Sequence, residues 1–387
     1  MTSSTNSTRR ATRSGPFPRA LTCAESTPGY PAGPPQPSLR VDDPGELIAA
    51  LPAMLGFVPE RSLVVAVLHE AAPGGSTAIE AVVRFDLDAL ADPHRIGQFT
   101  ACVGSICLRE HAGGVLAVFV DEAGGGVMQA LRAASLLEAL GDEGIAVCGA
   151  WSVPSIVAGA RFRDLFHRGA GGVVGDPASS MVALSHVLDG RQIRRSRGEL
   201  TALVRPDRRL CAQVRRRLGP AVARYRGGLS AATRAGHTAA YQRRALEWVL
   251  WQIADAASGA PRADRELAQL AATLRDRPIR DAMYGLALGD HAEAAEQLWA
   301  QLARATPGAD RAEAAALLGF SAYLRGDGPF AGVALAAAVE ADATHPMAVL
   351  LETSLQSGLR PERLRKLAQC GHQIAADLGV DIGPLHR

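Results

Sequence analysis

The sequence predicts an α/β domain followed by an all-α domain. Residues 38–190 contain short runs of Val, Leu and Ala that alternate with longer amphipathic segments, the order typical of strands and helices in an α/β fold. From residue 191 to residue 387 the apolar side chains recur at helical spacing. We therefore expect a parallel or mixed sheet with flanking helices, followed by a helical domain.

Residues 1–37 differ from the rest of the chain in composition. They are rich in Ser, Thr, Pro and Gly and poor in large apolar side chains. Such a segment buries too little apolar surface to offset the entropy lost on ordering, so we expect a disordered tail.

Residues 39–68 begin the α/β domain. Asp42 or Asp43 precedes a proline and caps a predicted helix, because an Asp before Pro is typical of a helix start. Gly56 ends this helix, and 62–68 is an apolar run that suits a strand covered on both faces.

The next elements follow in regular alternation. Strands are predicted at 78–87, 115–120 and 145–152, and helices at 92–110 and 124–140. The first of these strands can pair with 62–68 as a hairpin. The β-α-β-α-β order predicts right-handed crossovers and a largely parallel sheet. The Gly-rich segment 158–180 is predicted to be irregular.

The remaining chain is predicted to be helical, and it contains an internal repeat. Helices are expected at 177–188, 196–203, 206–225, 230–257, 261–274 and 277–288. Two Gly-Asp turns, at Gly289 and Gly326, lie 37 residues apart, and each separates two helical segments. Residues 277–357 therefore resemble tetratricopeptide-type hairpins, which stack and leave a concave surface.

Composition excludes several classes of site. Lys366 is the only lysine among 41 basic residues, so neither a phosphate-binding G-x-x-x-x-G-K-[ST] loop nor an S-x-x-K nucleophile pair is present. The six cysteines form no C-x-x-C pair and the ten histidines no ligand spacing, so we predict no metal site and no cofactor. We expect a reduced, cytoplasmic protein without a signal sequence or membrane span.

Charged residues suggest one site at the carboxyl edge of the sheet. Arg84, Asp86 and Asp88 alternate with apolar residues at a strand end. The two carboxylates either bind a hard cation or act in acid–base chemistry, or the three charges pair with one another. Arg161 lies in the Gly-rich segment, where it either clamps an anion or pairs with Asp164. Arg61 precedes the buried strand and is a further candidate for ligand binding.

Two other patterns have a capping or turn explanation. Asp176, Pro177 and Ser179 match a helix N-terminus, which is favoured over a ligand-binding or nucleophilic role because no base is placed to activate the serine. Residues 124–126 are three glycines between a strand and a helix, but Gln129 occupies the position of the third glycine in a dinucleotide-binding motif.

The segment 191–226 holds twelve arginines and two acidic residues, Glu199 and Asp207. A basic helical face of this kind can follow a nucleic-acid backbone. A solvated face or an internal contact with acidic helices is the favoured explanation, because Tyr225 is the single aromatic residue in the segment.

Six sequence blocks carry a family resemblance: LRVDDPGELIAALPAMLGFVPERSLVV at 39–65, VRFDL at 83–87, GARFRD at 159–164, GGVVGDPASSMVALSHVLDGR at 171–191, SRGELTALV at 196–204 and LLGFSAYLRGDGPFAGVALAAAV at 317–339. They resemble the actinobacterial family DUF4192, a domain of unknown function. The resemblance implies one architecture from residue 38 to about 360 and no known activity. Some members carry cysteines in the segment matching 165–175, where this chain has none.

Three hypotheses about function remain. The leading one is an intracellular scaffold that binds another protein through its helical repeats. The alternative is an enzyme or a receptor for a small anionic ligand at the sheet edge, using Arg61, Arg84, Asp86, Arg161, Asp176 and Ser179. The third is nucleic-acid binding through the arginines of 191–226.

Overall fold

A computed structural model divides the chain into two compact units, Met1–Ile193 and Arg194–Arg387. The structure describes residues 21–22, 40–41, 43–70, 77–122, 127–167, 169–188, 193–256 and 262–386. The first unit is a mixed sheet with helices and the second contains many helices, which confirms the predicted fold class. Apart from Leu21–Thr22, the tail predicted at 1–37 lies outside the described residues.

The first unit contains eight described strands and four α-helices, in the following chain order: β1 (Leu21–Thr22), β2 (Arg40–Val41), α1 (Pro44–Leu55), β3 (Ser62–Glu70), β4 (Thr77–Asp86), α2 (Pro93–Arg109), β5 (Gly114–Val120), α3 (Val127–Asp142), β6 (Val147–Val153), β7 (Arg161–Asp164), β8 (Gly171–Val173) and α4 (Met181–Leu188). Six of the strands are longer than two residues.

The strand order is β2-β1-β4-β3-β5-β6-β7-β8. β3 pairs antiparallel with both β4 and β5, whereas β5 and β6 are parallel. The expectation of a largely parallel sheet is therefore wrong. The hairpin brings β4 back along β3, and α2 then carries the chain past β3 to its other edge. β4, β5 and β6 consequently share one direction, but β3 lies between the first two.

Both faces of β3 are covered. Leu63 and Val67 contact a cluster that includes Phe99 of α2 and Leu136 of α3. On the opposite face, Val64 and its alternate neighbours are exposed by 3% or less. Helix α1 lies outside that cluster and contacts β4 and β8, so the sheet lies between two helical layers.

Helix α1 begins and ends as its sequence predicts. The carboxylate of Asp43 accepts a hydrogen bond from the backbone N–H of Gly45 at 3.0 Å. Gly56 ends the helix in the left-handed conformation, with φ of 72°. Leu47, Ile48 and other apolar residues of this helix are fully buried. The cap, the glycine and the apolar composition therefore agree with one another and fix the position of α1.

The segment predicted to be irregular, 158–180, contributes strands β7 and β8. Phe162 is buried in β7, and a Cβ on Gly172 would lie 2.8 Å from its ring. Strands of three or four residues carry too little alternation to be recognised from sequence, and here the glycines of β8 allow the close approach of the phenyl ring.

The second unit contains ten described α-helices: α5 (Arg197–Val204), α6 (Arg208–Arg234), α7 (Thr238–Ala256), α8 (Asp264–Leu274), α9 (Arg277–Met283), α10 (Ala292–Ala305), α11 (Gly308–Leu324), α12 (Gly328–Ala341), α13 (Pro346–Gln356) and α14 (Arg365–Asp377). A 3-10 turn, Tyr284–Leu288, continues α9.

Helix α6 is longer than predicted. The sequence predicts a break between residues 225 and 230, at Gly227 and Gly228, but α6 continues to Arg234 and the chain turns at Gly236, whose φ is 74°. A Cβ on Gly228 would lie 2.5 Å from the hydroxyl of Tyr241 in α7. This glycine therefore permits close contact between two helices and does not interrupt one.

Helix α11 is the core of the second unit. Its residues 314–323 are buried, and α10, α12 and α13 pack around it. Helix α14 packs on α9 and on the 3-10 turn that follows. At that contact Gly371 approaches so closely that a Cβ would lie 2.5 Å from the backbone nitrogen of Gly285.

We expect Gly371→Ala to destabilise the protein, because its Cβ would also lie 2.8 Å from the carbonyl oxygen of Asp281. Overpacking of this kind costs about 1–3 kcal/mol. The free energy of unfolding can be measured in urea. Gly227→Ala is the matched control: it has open space within a helix, so it should stabilise by about 0.5–1 kcal/mol. Equal effects of the two substitutions would contradict the close helix contact.

Candidate functional site

A groove of about 490 Å³ opens at the carboxyl ends of β5 and β6. It is lined by residues 58–61 before β3, 120–122 at the end of β5 and 154–157 after β6. Its volume lies in the range of about 300–1,000 Å³ that is typical of small-molecule sites. Ligands of α/β folds bind beyond the carboxyl ends of parallel strands, and β5 and β6 run parallel. The groove is therefore the candidate site.

The groove combines an apolar wall with charged and polar groups. Its apolar lining residues are Val58, Pro59, Val120, Pro154, Ile156 and Val157. Its polar lining residues are Glu60, Arg61, Asp121, Glu122 and Ser155. Val157 is 53% exposed and lies at the open side, whereas Ile156 is buried. Three carboxylates and one guanidinium thus give the lining a net negative charge.

Arg61 has an unusual backbone conformation at the edge of this groove. Its φ is 44°, in the left-handed region that residues other than glycine rarely adopt. Its carbonyl oxygen accepts a hydrogen bond from the N–H of Leu87 at 2.9 Å, which holds the turn against the end of β4. Backbone strain of about 1–3 kcal/mol is found most often at functional sites, and its location here supports the choice of this groove.

The side chain of Arg61 pairs with Asp88. Its Nε donates to the carboxylate at 3.0 Å, and its Nη2 donates to the other oxygen. This hydrogen bond raises the pKa of Arg61 and lowers the pKa of Asp88. The negative charges of Asp121 and Asp86 also raise the pKa of Arg61. Several carboxylates therefore already surround this guanidinium.

Arg84 ties the same turn to β4. Its Nε donates to the hydroxyl of Ser62 at 2.7 Å, and its Nη2 lies 3.3 Å from the carboxylate of Asp86. Ser62 is fully buried, and its hydroxyl donates to the carbonyl oxygen of Glu60 at 2.6 Å. Arg84 and Asp86 thus pair with each other, and their contacts support the groove from its side.

The remaining predicted site residues are not brought into the groove. Arg161 is exposed at the start of β7 and does not line it. Asp176 accepts from the N–H of Ala178 at 3.0 Å, and the hydroxyl of Ser179 donates to the carbonyl oxygen of Asp176 at 3.0 Å. Asp176 therefore caps a short turn, as an Asp before Pro at a helix start favours, and Ser179 bonds back to the backbone of the capping residue.

Arg161 does not pair with Asp164, although that pairing is one of the two roles that the sequence suggests for Arg161. The carboxylate of Asp164 accepts hydrogen bonds from the N–H groups of Phe166 and His167, each at 2.8 Å. These local bonds fold the chain back between β7 and β8. The glycines at 124–126 and Arg191, which belong to two of the sequence patterns, lie outside the described residues.

Sequence reasoning missed Glu60, Asp121 and Glu122. A signal was present for two of them, because Asp121 and Glu122 directly follow a fully buried strand and so must emerge at its carboxyl end. Glu60 carried no such signal: it precedes β3, and only the antiparallel direction of β3 places it at the same edge.

The described part of the chain shows neither a metal-binding cluster nor a membrane-spanning helix. No group of three His, Cys, Asp or Glu side chains in that part of the chain is arranged to hold a metal ion. None of the helices in the described ranges is long and apolar enough to cross a membrane.

The chain belongs to the family described as a domain of unknown function (DUF4192), whose model matches residues 44–362. The match begins at α1, crosses the boundary between the two units and ends before α14. Neither a curated protein nor a solved structure matches the chain.

The ion pair between Arg61 and Asp88 makes a testable prediction. We expect the pKa of Asp88 to lie below its ordinary value of 3.8 and to rise toward it in Arg61→Gln. Because the pKa of Asp88 is lowered in the folded state, the ion pair stabilises the fold at pH values above the ordinary pKa of 3.8. This stabilisation is lost as the pH falls through the folded-state pKa.

Carboxyl-carbon NMR titration measures this pKa. The control is Arg95→Gln, which removes an exposed arginine that does not influence Asp88. If the Asp88 titration midpoint is the same in Arg61→Gln and in the unmodified protein, the assigned pair does not form in solution.

Proposed function

We propose that this DUF4192 protein binds a small organic cation in the groove at the carboxyl ends of β5 and β6. The observation that carries the proposal is the lining charge, since Glu60, Asp121 and Glu122 outnumber Arg61, whose charge is already offset by Asp88. An anionic ligand, the type anticipated from the arginines in the sequence, would be repelled by these carboxylates.

The apolar wall defines the ligand further. Val58, Pro154 and Val157 offer accessible surface for a hydrocarbon portion, and the carboxylates accept hydrogen bonds from an ammonium group. A primary amine or diamine with a short carbon chain combines both features. Burial of the chain against the wall and attraction to the carboxylates would act together in such a ligand.

A thermal-shift screen of the full chain tests the proposal. Diamines and quaternary ammonium compounds are compared with nucleotides and sugar phosphates. A ligand at about 100 times its dissociation constant stabilises by about 2.7 kcal/mol, which such a screen detects. We expect shifts with amines, and we expect them to disappear in the double variant Asp121→Asn, Glu122→Gln.

Glu138→Gln is the matched control, because it removes one exposed carboxylate of α3 outside the groove. The amine shift should persist in this variant. Stabilisation by phosphates alone, or an amine shift that survives the double substitution, would overturn the assignment.

The helical unit supports a second candidate function, the binding of another protein by tetratricopeptide-like hairpins. The favouring observation is exposed apolar surface: Leu350 on α13, within the predicted hairpins at 277–357, is 58% exposed, and Trp251 on α7, which precedes them in the chain, is 74% exposed. Large aromatic side chains contribute strongly to protein interfaces. The cysteines are scattered and form no C-x-x-C pair, which supports a reducing, cytoplasmic setting for this proposal.

Sedimentation and crosslinked capture of the full chain test this second function. We expect Trp251→Gln and Leu350→Gln to reduce association, because each removes apolar contact area. Leu108→Gln, at an 80% exposed site in α2, is the control and should have no effect. A strictly monomeric protein that captures no partner would contradict the interaction.

A further inference from the structure

Helix α6 carries an uninterrupted positive charge. Its 27 residues include eight arginines and no acidic residue. No Asp or Glu occurs between Asp207 and Glu247, a stretch that also contains Arg243 and Arg244. At a rise of about 1.5 Å per residue the helix is about 40 Å long. Positive charge therefore extends along most of the length of this helix.

The arginines of α6 lie on the side that faces away from the core. Cys211 and Val214 are buried, and Leu218, Tyr225 and Leu229 on the same helical face are half-buried. At about 100° per residue, the arginines are centred on the opposite face. All eight are exposed, namely Arg208, Arg209, Arg215, Arg216, Arg217, Arg224, Arg226 and Arg234. We call this surface the arginine face.

Internal ion pairs neutralise little of the arginine face. Arg217 lies 3.4 Å from the carboxylate of Asp264, and both side chains remain partly exposed. Among the described residues no other arginine of α6 forms a salt bridge. An internal contact with acidic helices is one of the two explanations favoured from the sequence. It therefore applies to one of the eight arginines.

Basic and acidic residues are distributed unequally between the two units. Residues 194–387 contain 27 basic and 20 acidic side chains, whereas residues 1–193 contain 14 basic and 19 acidic ones. The formal net charge of +2 hides this division. A polyanion would be attracted to the second unit, and within that unit to the arginine face.

We propose that the arginine face binds the phosphate backbone of double-helical nucleic acid without reading its sequence. Guanidinium groups bind phosphate oxygens through paired, charge-assisted hydrogen bonds. The arginines fall in successive groups along the axis, at 208–209, 215–217, 224–226 and 234. A 40 Å helix lying along a duplex spans about 12 base pairs at about 3.4 Å each, so each group meets separate phosphates.

Two other polyanions fit the structure less well. Binding of single strands relies on aromatic side chains that stack on bases, and the one aromatic residue of α6, Tyr225, donates to Asp276 at 2.8 Å and packs edge-on against Tyr241. An amphipathic helix on a membrane inserts its apolar face, but here that face is buried within the protein. The duplex backbone requires neither feature.

Fluorescence anisotropy of the full chain with a labelled duplex of about 20 base pairs tests the proposal, at salt concentrations between about 50 and 200 mM. We expect affinity that is independent of sequence and falls steeply with salt. In the triple variant Arg209→Gln, Arg216→Gln, Arg234→Gln, whose side chains share one stripe of α6 opposite Cys211, the slope of log K against log salt should decrease by about three, because each substitution removes one arginine that binds a phosphate.

Two controls separate this surface from net charge and from misfolding. Changing Arg95, Arg132 and Arg363 to Gln removes the same charge elsewhere and should leave duplex binding unchanged. Changing the three α6 arginines to Lys preserves the charge and should retain most of the binding. The proposal is overturned if the triple Gln variant binds as the unmodified protein does, or if single strands or anionic vesicles bind more tightly through the same arginines.

Discussion

The position of β3 is the constraint on which the α/β unit depends. This strand pairs with neighbours along both edges, and its residues 63–68 are exposed by 3% or less on both faces. A shift of one residue would exchange its two faces, and each face is packed against a different helical layer. The hairpin, the crossover through α2 and the direction of every later strand follow from its placement between β4 and β5.

The direction of β3 also determines which residues line the groove. Because β3 is antiparallel to its neighbours, its amino end lies beside the carboxyl ends of β4, β5 and β6. The turn that enters β3 therefore meets the residues that leave the other strands. Arg61 and Glu60 come from the first source, and Asp121 and Glu122 from the second. The left-handed backbone of Arg61 and the partly buried hydrogen bond between Arg84 and Ser62 hold the turn before β3 in one geometry.

The helical unit separates apolar and charged surface in a different way. Helix α11 is surrounded by other helices and consists largely of Ala and Leu, so small side chains allow close packing. Helix α6 contributes one apolar face to the core and leaves its arginines in water. Gly228 and Gly371 lie where two helices are in close contact. Gly228 therefore serves helix packing and does not end α6.

The sequence by itself determined the fold class, the cap and ends of α1, the buried strands and the arginine-rich segment, because each depends on residues that are close together in the chain. The capping role of Asp176 and the pairing of Arg84 with Asp86 were also contained in local spacing. Tertiary structure decided the strand order, the short strands β7 and β8, the continuation of α6 through Gly228 and the gathering of Glu60, Asp121 and Glu122 in one groove. These features depend on pairing between distant segments, and alternation along one strand does not specify which strand lies beside it.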